Sequence, residues 1–180
     1  PTNGAFEDRL NTLEGGVGAI ATASGQSAEL LTFMALAQAG DEIISTSALY
    51  GGSYTLLKYT LSRLGIKTHF VESDDPAEFE KLINEKTRLI YLETIGNPKL
   101  EIPDFEGIAA VAHAHGVPVV TDNTFAPYLW RPFEHGVDII TYSTTKWIGG
   151  HGLSIGGAIV DSGNFDWKAS GRHATLIEPE

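Results

Sequence analysis

Three observations predict an α/β protein whose mostly parallel, seven-stranded sheet lies between helices in a three-layer α/β/α arrangement. Apolar runs of strand length alternate with segments of helical periodicity along nearly the whole chain, as in parallel sheets covered on both faces. Capping and stop residues stand where the period changes, with Asp75-Pro76 opening one helix and Gly40, Gly65 and Gly116 following others. Five of the strand ends run into polar or glycine-bearing stretches on otherwise apolar elements, and ligands of open α/β sheets bind at strand carboxyl ends.

The elements follow in order. Residues 4–14 form a short helix with Phe6, Leu10 and Leu13 in phase. Residues 17–23 read as a buried strand. Ser24-Gly25-Gln26 then opens a helix with Leu30, Leu31, Met34 and Ala37 on its apolar face and Gly40 as its stop. Residues 42–46 are a strand. Residues 51–64 are a helix with Tyr54, Leu57, Leu61 and Leu64 inward and Gly65 at its end. Residues 67–71 are a strand. The next helix starts with Asp75 as cap, Pro76 at its first position and Glu78 reaching back. Residues 88–93 are a strand, and 103–115 a helix that turns Phe105, Ile108, Ala109 and Ala112 inward. Strands at 117–122, 137–142 and 155–161 complete the sheet. The last two are joined by a loop with no crossover helix, so that pair is expected to be antiparallel.

Composition narrows the function. The chain has 180 residues, enough for one domain with a sizeable core. Its net charge of −11, with no basic run, argues against nucleic-acid binding. It has no cysteine, which excludes disulfides and thiolate chemistry. No apolar stretch has the length of a membrane span. No metal site is expected, because His113 and His115 point to different sides of one helix and His69, His135 and His173 stand apart. Gly16-Val17-Gly18-Ala19-Ile20-Ala21 has dinucleotide-fingerprint spacing but leads into a strand, the wrong order for that motif.

The chemistry centres on Ser143-Thr144-Thr145-Lys146-Trp147-Ile148-Gly149-Gly150-His151-Gly152, which follows the strand ending at Tyr142. A lysine among glycines and apolar residues at a strand end is expected to be poorly solvated. Desolvation disfavours the ammonium, and a neutral lysine attacks carbonyls to form a Schiff base. The adjacent hydroxyls suit a phosphate. The competing reading is a surface lysine in a glycine-rich turn. Gly25-Gln26 places free amides at a helix start, where a phosphate binds, although Ser24 can equally be an N-cap. Asp122 ends an apolar strand and needs a cation to stay charged, unless it is a helix cap or metal ligand. Tyr50, before Gly51-Gly52, either stacks on a flat cofactor and transfers protons or simply packs. Asn97 in Gly96-Asn97-Pro98 is a site residue or a turn residue.

Taken together, Ser24-Gly25-Gln26, Tyr50-Gly51-Gly52, Glu93-Thr94-Ile95-Gly96-Asn97-Pro98, Asp122-Asn123-Thr124-Phe125 and Ser143-Thr144-Thr145-Lys146 resemble the successive motifs of the Cys/Met-metabolism family of fold-type I pyridoxal phosphate enzymes. The resemblance spans essentially the whole chain. It implies the large cofactor domain of an aspartate-aminotransferase-like fold, with pyridoxal 5'-phosphate as cofactor. It implies Lys146 as the Schiff-base lysine, Asp122 on the pyridine nitrogen and Tyr50 on the ring. Gly25, Gln26, Ser143 and Thr145 would hold the phosphate, Asn97 would lie near the phenolic oxygen, and Thr124 beneath the ring. Within the family, Ile148-Gly149-Gly150-His151-Gly152, Ile155-Gly156-Gly157 and Val160-Asp161-Ser162-Gly163 are most similar to O-acetylhomoserine sulfhydrylases.

That similarity implies γ-replacement on O-acetylhomoserine with sulfide or a thiol, giving homocysteine or methionine. A methionine or cystathionine γ-lyase, a cystathionine γ-synthase and an inactive cofactor-binding fragment are the alternatives. The partners implied are a small amino-acid substrate and sulfide or a thiol. The family also implies a cytoplasmic homo-oligomer, a dimer of dimers with sites shared between subunits. Residues 1–165 are expected to be the cofactor domain, lacking a preceding arm, and 166–180 the start of a connection to a further, C-terminal domain.

Overall fold

The computed structural model describes residues 2–177. Seven strands form one sheet: β1 (Gly18–Thr22), β2 (Glu42–Thr46), β3 (Lys67–Val71), β4 (Thr87–Glu93), β5 (Val119–Asp122), β6 (Ile139–Tyr142) and β7 (Gly157–Asp161). Their spatial order is β1-β7-β6-β5-β4-β2-β3. The pairs β2–β3, β2–β4, β4–β5 and β5–β6 are parallel. β7 runs antiparallel to both neighbours, β6 and β1, as a loop return without a crossover helix requires.

The period of two along each strand divides the core. On β4, Ile90 and Leu92 face one side and Leu89 and Tyr91 the other; on β2, Ile44 and Ile43 divide the same way. The first face is covered by α1 (Thr2–Glu14), α5 (Pro76–Glu80) and α6 (Phe105–Ala114), through Leu10, Phe79, Phe105, Ile108, Ala109 and Ala112. The second is covered by α2 (Gly25–Leu36) and by α3 (Gly51–Thr55), which continues through a π-helical turn at Leu56–Thr60 into α4 (Leu61–Arg63). Phe33, Leu36, Leu57 and Leu61 are the main buried side chains there, each worth about 1.5–3 kcal/mol of transfer free energy. Short α7 (Trp167–Ser170) follows β7.

Capping accounts for the helix starts. Ser24 accepts from the Ser27 amide at 3.1 Å, Asp75 from Ala77 at 2.9 Å and Asp104 from Gly107 at 3.0 Å. Gly40, Gly65 and Gly116 all have positive φ in the turns after their helices.

Four expectations need correction. β1 is an edge strand and not buried: Ile20 is 62% exposed, and a Glu7 carboxylate on α1 accepts the Ala21 amide at 2.7 Å. The buried face of α2 carries Ala28, Glu29, Thr32, Phe33 and Leu36, whereas Leu31 and Met34 are exposed. Packing of Phe33 edge-on against Tyr91, with ring centroids 5.0 Å apart, sets that face. The helix at 51–64 is interrupted by its π turn, and Leu64 is exposed. Glu78 pairs with Lys81 instead of reaching back to the start of α5.

Candidate active site

The polar strand ends converge at one edge of the sheet. Parallel pairing sets Glu93, the last residue of β4, beside Asp122, the last of β5. Asp122 accepts the Thr124 amide at 2.9 Å and the Thr141 hydroxyl at 3.4 Å. The Thr124 hydroxyl in turn accepts the Ser143 amide at 2.7 Å, which ties the loop after β5 to the lysine loop after β6.

The lysine loop is pressed on the start of α2. A Cβ on Gly25 would fall 2.7 Å from the Ser143 Cβ, so only glycine permits this approach. The backbone amides of Gly25 and Gln26 have no hydrogen-bond partner among the described residues, and they lie at the positive end of a 12-residue helix. From there Gln26 donates through Nε2 to Glu29 at 2.8 Å, and Glu29 also accepts the Ser53 hydroxyl of α3 at 2.7 Å. Tyr50, at the cap of α3, donates its amide to Glu93 at 2.8 Å. Its ring lies over Gly52, where a Cβ would come 2.5 Å from Tyr50 Cε1 and 3.3 Å from Gln26 Cδ. The links from Glu93 through Asp122, Thr124, Ser143, Gly25, Gln26, Glu29, Ser53 and Tyr50 therefore close into a ring around one site.

The electrostatics of this ring are acidic. Burial pushes the Glu93 carboxyl up to about 8, with the Asp122 charge adding and the Tyr50 amide opposing. Burial likewise pushes Glu29 up to about 8, again with the Asp122 charge adding. Asp122 retains some exposure, yet desolvation by the surrounding strand ends raises it to about 6 against the lowering bonds from Thr124 and Thr141. Among the described residues, no cationic side chain offsets it. Among the described residues, no group of three His, Cys, Asp or Glu side chains is placed to hold a metal ion.

The remaining sequence-derived residues are placed as follows. Ser143 is half-buried at the mouth of the site. Thr145 turns its hydroxyl to the Gly156 backbone, donating to the carbonyl at 3.2 Å and accepting the amide at 3.1 Å, so it braces the loop return. Asn97 is half-buried in the loop after β4, preceding a cis peptide to Pro98, and its side chain bonds to none of the ring. Lys146 is exposed, and its ammonium makes no hydrogen bond or ion pair among the described residues. The expected poor solvation is not supplied by this chain, because the apolar residues of the loop, Trp147, Leu153 and Ile155, point outward at 65%, 89% and 77% exposure.

Sequence reasoning missed Glu29, Ser53, Tyr91 and the part played by Glu93. Signals for two were present: Glu29 is the one ionisable residue in the otherwise uncharged run of α2, and Glu93 ends an apolar strand just as Asp122 does.

The site fits a cofactor with a protonated ring nitrogen and a phosphate. Asp122 is desolvated and lacks a cation, and the unpartnered amides of Gly25 and Gln26 stand across the ring from it.

A family model described as "Cys/Met metabolism PLP-dependent enzyme" matches residues 1–176. The homocysteine/cysteine synthase of Saccharomyces cerevisiae is 56% identical over 93% of this chain and 38% of its own length. The O-acetyl-L-homoserine sulfhydrylase of Leptospira meyeri is 52% identical over 100% of this chain and 41% of its own. A crystal structure from Campylobacter jejuni, described as an O-acetylhomoserine (thiol)-lyase with N'-pyridoxyl-lysine-5'-monophosphate, superposes with a TM-score of 0.93 at 36% identity, covering 96% of this chain and 43% of that one. The chain spans about two fifths of the length of these curated relatives. A match over nearly all its residues, with relatives above half identical, means that the chain belongs to the Cys/Met metabolism family of PLP-dependent enzymes.

Proposed function

We propose that this chain is the cofactor-binding part of a pyridoxal phosphate-dependent enzyme that replaces the γ-substituent of O-acetylhomoserine with sulfide or a thiol, giving homocysteine or methionine. The observation that carries this reading is the closed ring of strand-end residues in a chain more than half identical to homocysteine synthases. When bound, the cofactor supplies an electron sink for a carbanion on the substrate.

The chain's own residues hold and serve that group. The Gly25 and Gln26 amides and the Ser143 hydroxyl bind the phosphate, and Thr145 supports them by bracing the loop at Gly156. Asp122, oriented by Thr124 and Thr141, would keep a proton on the ring nitrogen, and Thr124 would lie beneath the ring. Tyr50 would stack on the ring and move a proton to or from the leaving or entering group. Asn97 would lie near the phenolic oxygen. Lys146 would anchor the aldehyde and, once the substrate's amino group has displaced it, its freed Nζ would carry protons between the substrate's α and β carbons.

The phosphate lacks a cation within this ring. Arg131 is paired with Glu134, Arg88 with Asp41, and Arg172 donates to the carbonyls of His115, Asn84 and Thr87. The reading therefore includes a cytoplasmic homo-oligomer, a dimer of dimers, in which a second subunit brings a cation and covers Lys146. It also places the cofactor domain at residues 1–165, with 166–180 leading toward a further domain.

The test has two stages. Pyridoxal phosphate is titrated into the protein, fixed with borohydride and mapped; the label is expected on Lys146, and a label on Lys58, Lys86 or Lys99 would overturn the assignment. Products are then analysed with O-acetylhomoserine plus sulfide and with methionine alone. Homocysteine from the first is expected. Turnover of methionine with no reaction of O-acetylhomoserine would make the enzyme a γ-lyase.

A further inference from the structure

Glu29 takes no part in the chemistry proposed above, yet among the described residues its carboxyl accepts more side-chain hydrogen bonds than any other acid's. It is 3% exposed, on the sheet-facing side of α2. Its Oε1 accepts the hydroxyls of Ser53 at 2.7 Å and Tyr91 at 3.0 Å, and its Oε2 accepts Nε2 of Gln26 at 2.8 Å. Ser53 and Tyr91 are themselves buried, at 1% and 0% exposure. These donors come from three separate elements: α3, β4 and the first turn of α2. A buried carboxyl with three donors has no freedom to rotate without leaving donors unsatisfied, and each such loss is costly.

The geometry passes directly to the site. A Cβ placed on Gly52 would come 3.3 Å from Gln26 Cδ and 2.5 Å from Tyr50 Cε1, so both side chains flank that glycine. Tyr91 is fixed from behind by its edge-on contact with Phe33. One carboxyl thus links the Gln26 side chain in the first turn of α2 to Ser53 of α3 and Tyr91 of β4.

We infer that Glu29 is a positioning residue of the cofactor pocket, which clamps Gln26 and α3 to the buried Tyr91 and so fixes the phosphate end of the pocket relative to the Tyr50 wall. The inference rests on the pyridoxal phosphate reading of the site.

The experiment uses the protein loaded with pyridoxal phosphate and compares the parent with Glu29→Ala, Glu29→Gln and Ser53→Ala. Three quantities are measured: the cofactor dissociation constant, the visible circular dichroism of the bound cofactor, which reports ring orientation, and the thermal midpoint. Glu29→Ala is expected to weaken cofactor binding about tenfold, equivalent to about 1.4 kcal/mol, and to change the dichroism. Glu29→Gln is expected to restore both to within about twofold of the parent. Its carbonyl still accepts from Ser53 and Tyr91, and its amide donates to a turned Gln26. Ser53→Ala should move both readouts in the Glu29→Ala direction by a smaller amount.

A Glu29→Ala protein that melts earlier but binds cofactor with parental affinity and dichroism would overturn the inference, leaving Glu29 a structural residue only. A Glu29→Gln protein as impaired as Glu29→Ala would overturn it too. If Glu29→Ala does not fold, Ser53→Ala decides alone: parental affinity and dichroism there sink the clamp. Failure of the parent itself to bind pyridoxal phosphate would instead refute the cofactor reading, and the clamp with it.

Discussion

Glu93→Gln offers a quantitative test of the site's electrostatics. Glu93 is 6% exposed and sits beside Asp122 in the β4–β5 register. Its carboxyl, ordinarily near 4.5, is pushed up to about 8, chiefly by burial and next by the Asp122 charge. Between those two pH values the folded chain keeps a proton that the unfolded chain releases. Stability is thus fully present below the ordinary value and falls as pH rises, by about 1.4 kcal/mol per pH unit, until the raised value is passed. From about pH 5 to about pH 7 the loss amounts to about 3 kcal/mol. Glutamine does not titrate, and its carbonyl still accepts the Tyr50 amide, so the variant removes the slope and keeps the hydrogen bond. Urea unfolding of parent and variant across that range is the assay. The variant is expected to gain on the parent by about 3 kcal/mol as pH rises, and Glu29 and Asp122, also raised, leave a residual slope of the same sign in both. A stability gap that does not change with pH would refute the raised Glu93 carboxyl and the desolvated character of the site.

Lys146→Ala should abolish borohydride-fixable cofactor while shifting stability by no more than about 0.5 kcal/mol, since Lys146 is exposed and its side chain bonds to nothing described; mass spectrometry and a thermal melt check both halves. Asp122→Asn should retain cofactor but lose on the order of 10²-fold or more in turnover with O-acetylhomoserine and sulfide, and near-parental turnover would remove Asp122 from its role. Gly25→Ala puts a Cβ 2.7 Å from that of Ser143 and is expected to cost about 1–3 kcal/mol in urea unfolding and to weaken cofactor binding; parental values of both would show that α2 and the lysine loop are not in close register.

The fold was readable because local signals agreed with one another. Asp75-Pro76 caps a helix, Gly65 and Gly116 turn the chain after helices, and all seven strands overlap the segments read as strands. The errors fall where tertiary context overrides pattern. Leu31 and Met34 have helical spacing, but the large side chain of Phe33 wins the sheet-facing position, and periodicity alone does not rank two apolar stripes on one helix. Ile20 lies in a strand whose edge position is a property of sheet order, which no local window contains. At the site, the residues that stand at strand ends were legible as polar breaks in apolar runs. Glu29 carried one signal, as the sole ionisable residue of α2, but its role depends on Ser53 and Tyr91, 24 and 62 residues away, and only packing brings them to it.

The ionic balance of the pocket ties its two least satisfied features together. On the proposed reading the ring would lie near three carboxyls, of which Glu29 and Glu93 are pushed well up by burial and Asp122 is raised least in value, to about 6. That arrangement offers one negative charge to one ring cation, and a second charge there would be repelled by the first. At the other end, a phosphate dianion held by the amides of Gly25 and Gln26 would meet no guanidinium among the described residues, forgoing charge-assisted bonds worth roughly 1.5–3 kcal/mol each. The lysine loop beside them leaves Lys146 in water and turns Trp147, Leu153 and Ile155 outward. Three large exposed apolar side chains on one loop are themselves a cost. A covering surface that buries those side chains dries the lysine, and if it brings an arginine to the phosphate it fills the missing charge in the same step. The need for a cation, at the start of α2, and the need for a cover, on the lysine loop pressed against it, thus arise side by side, and a site completed by a second subunit would meet both.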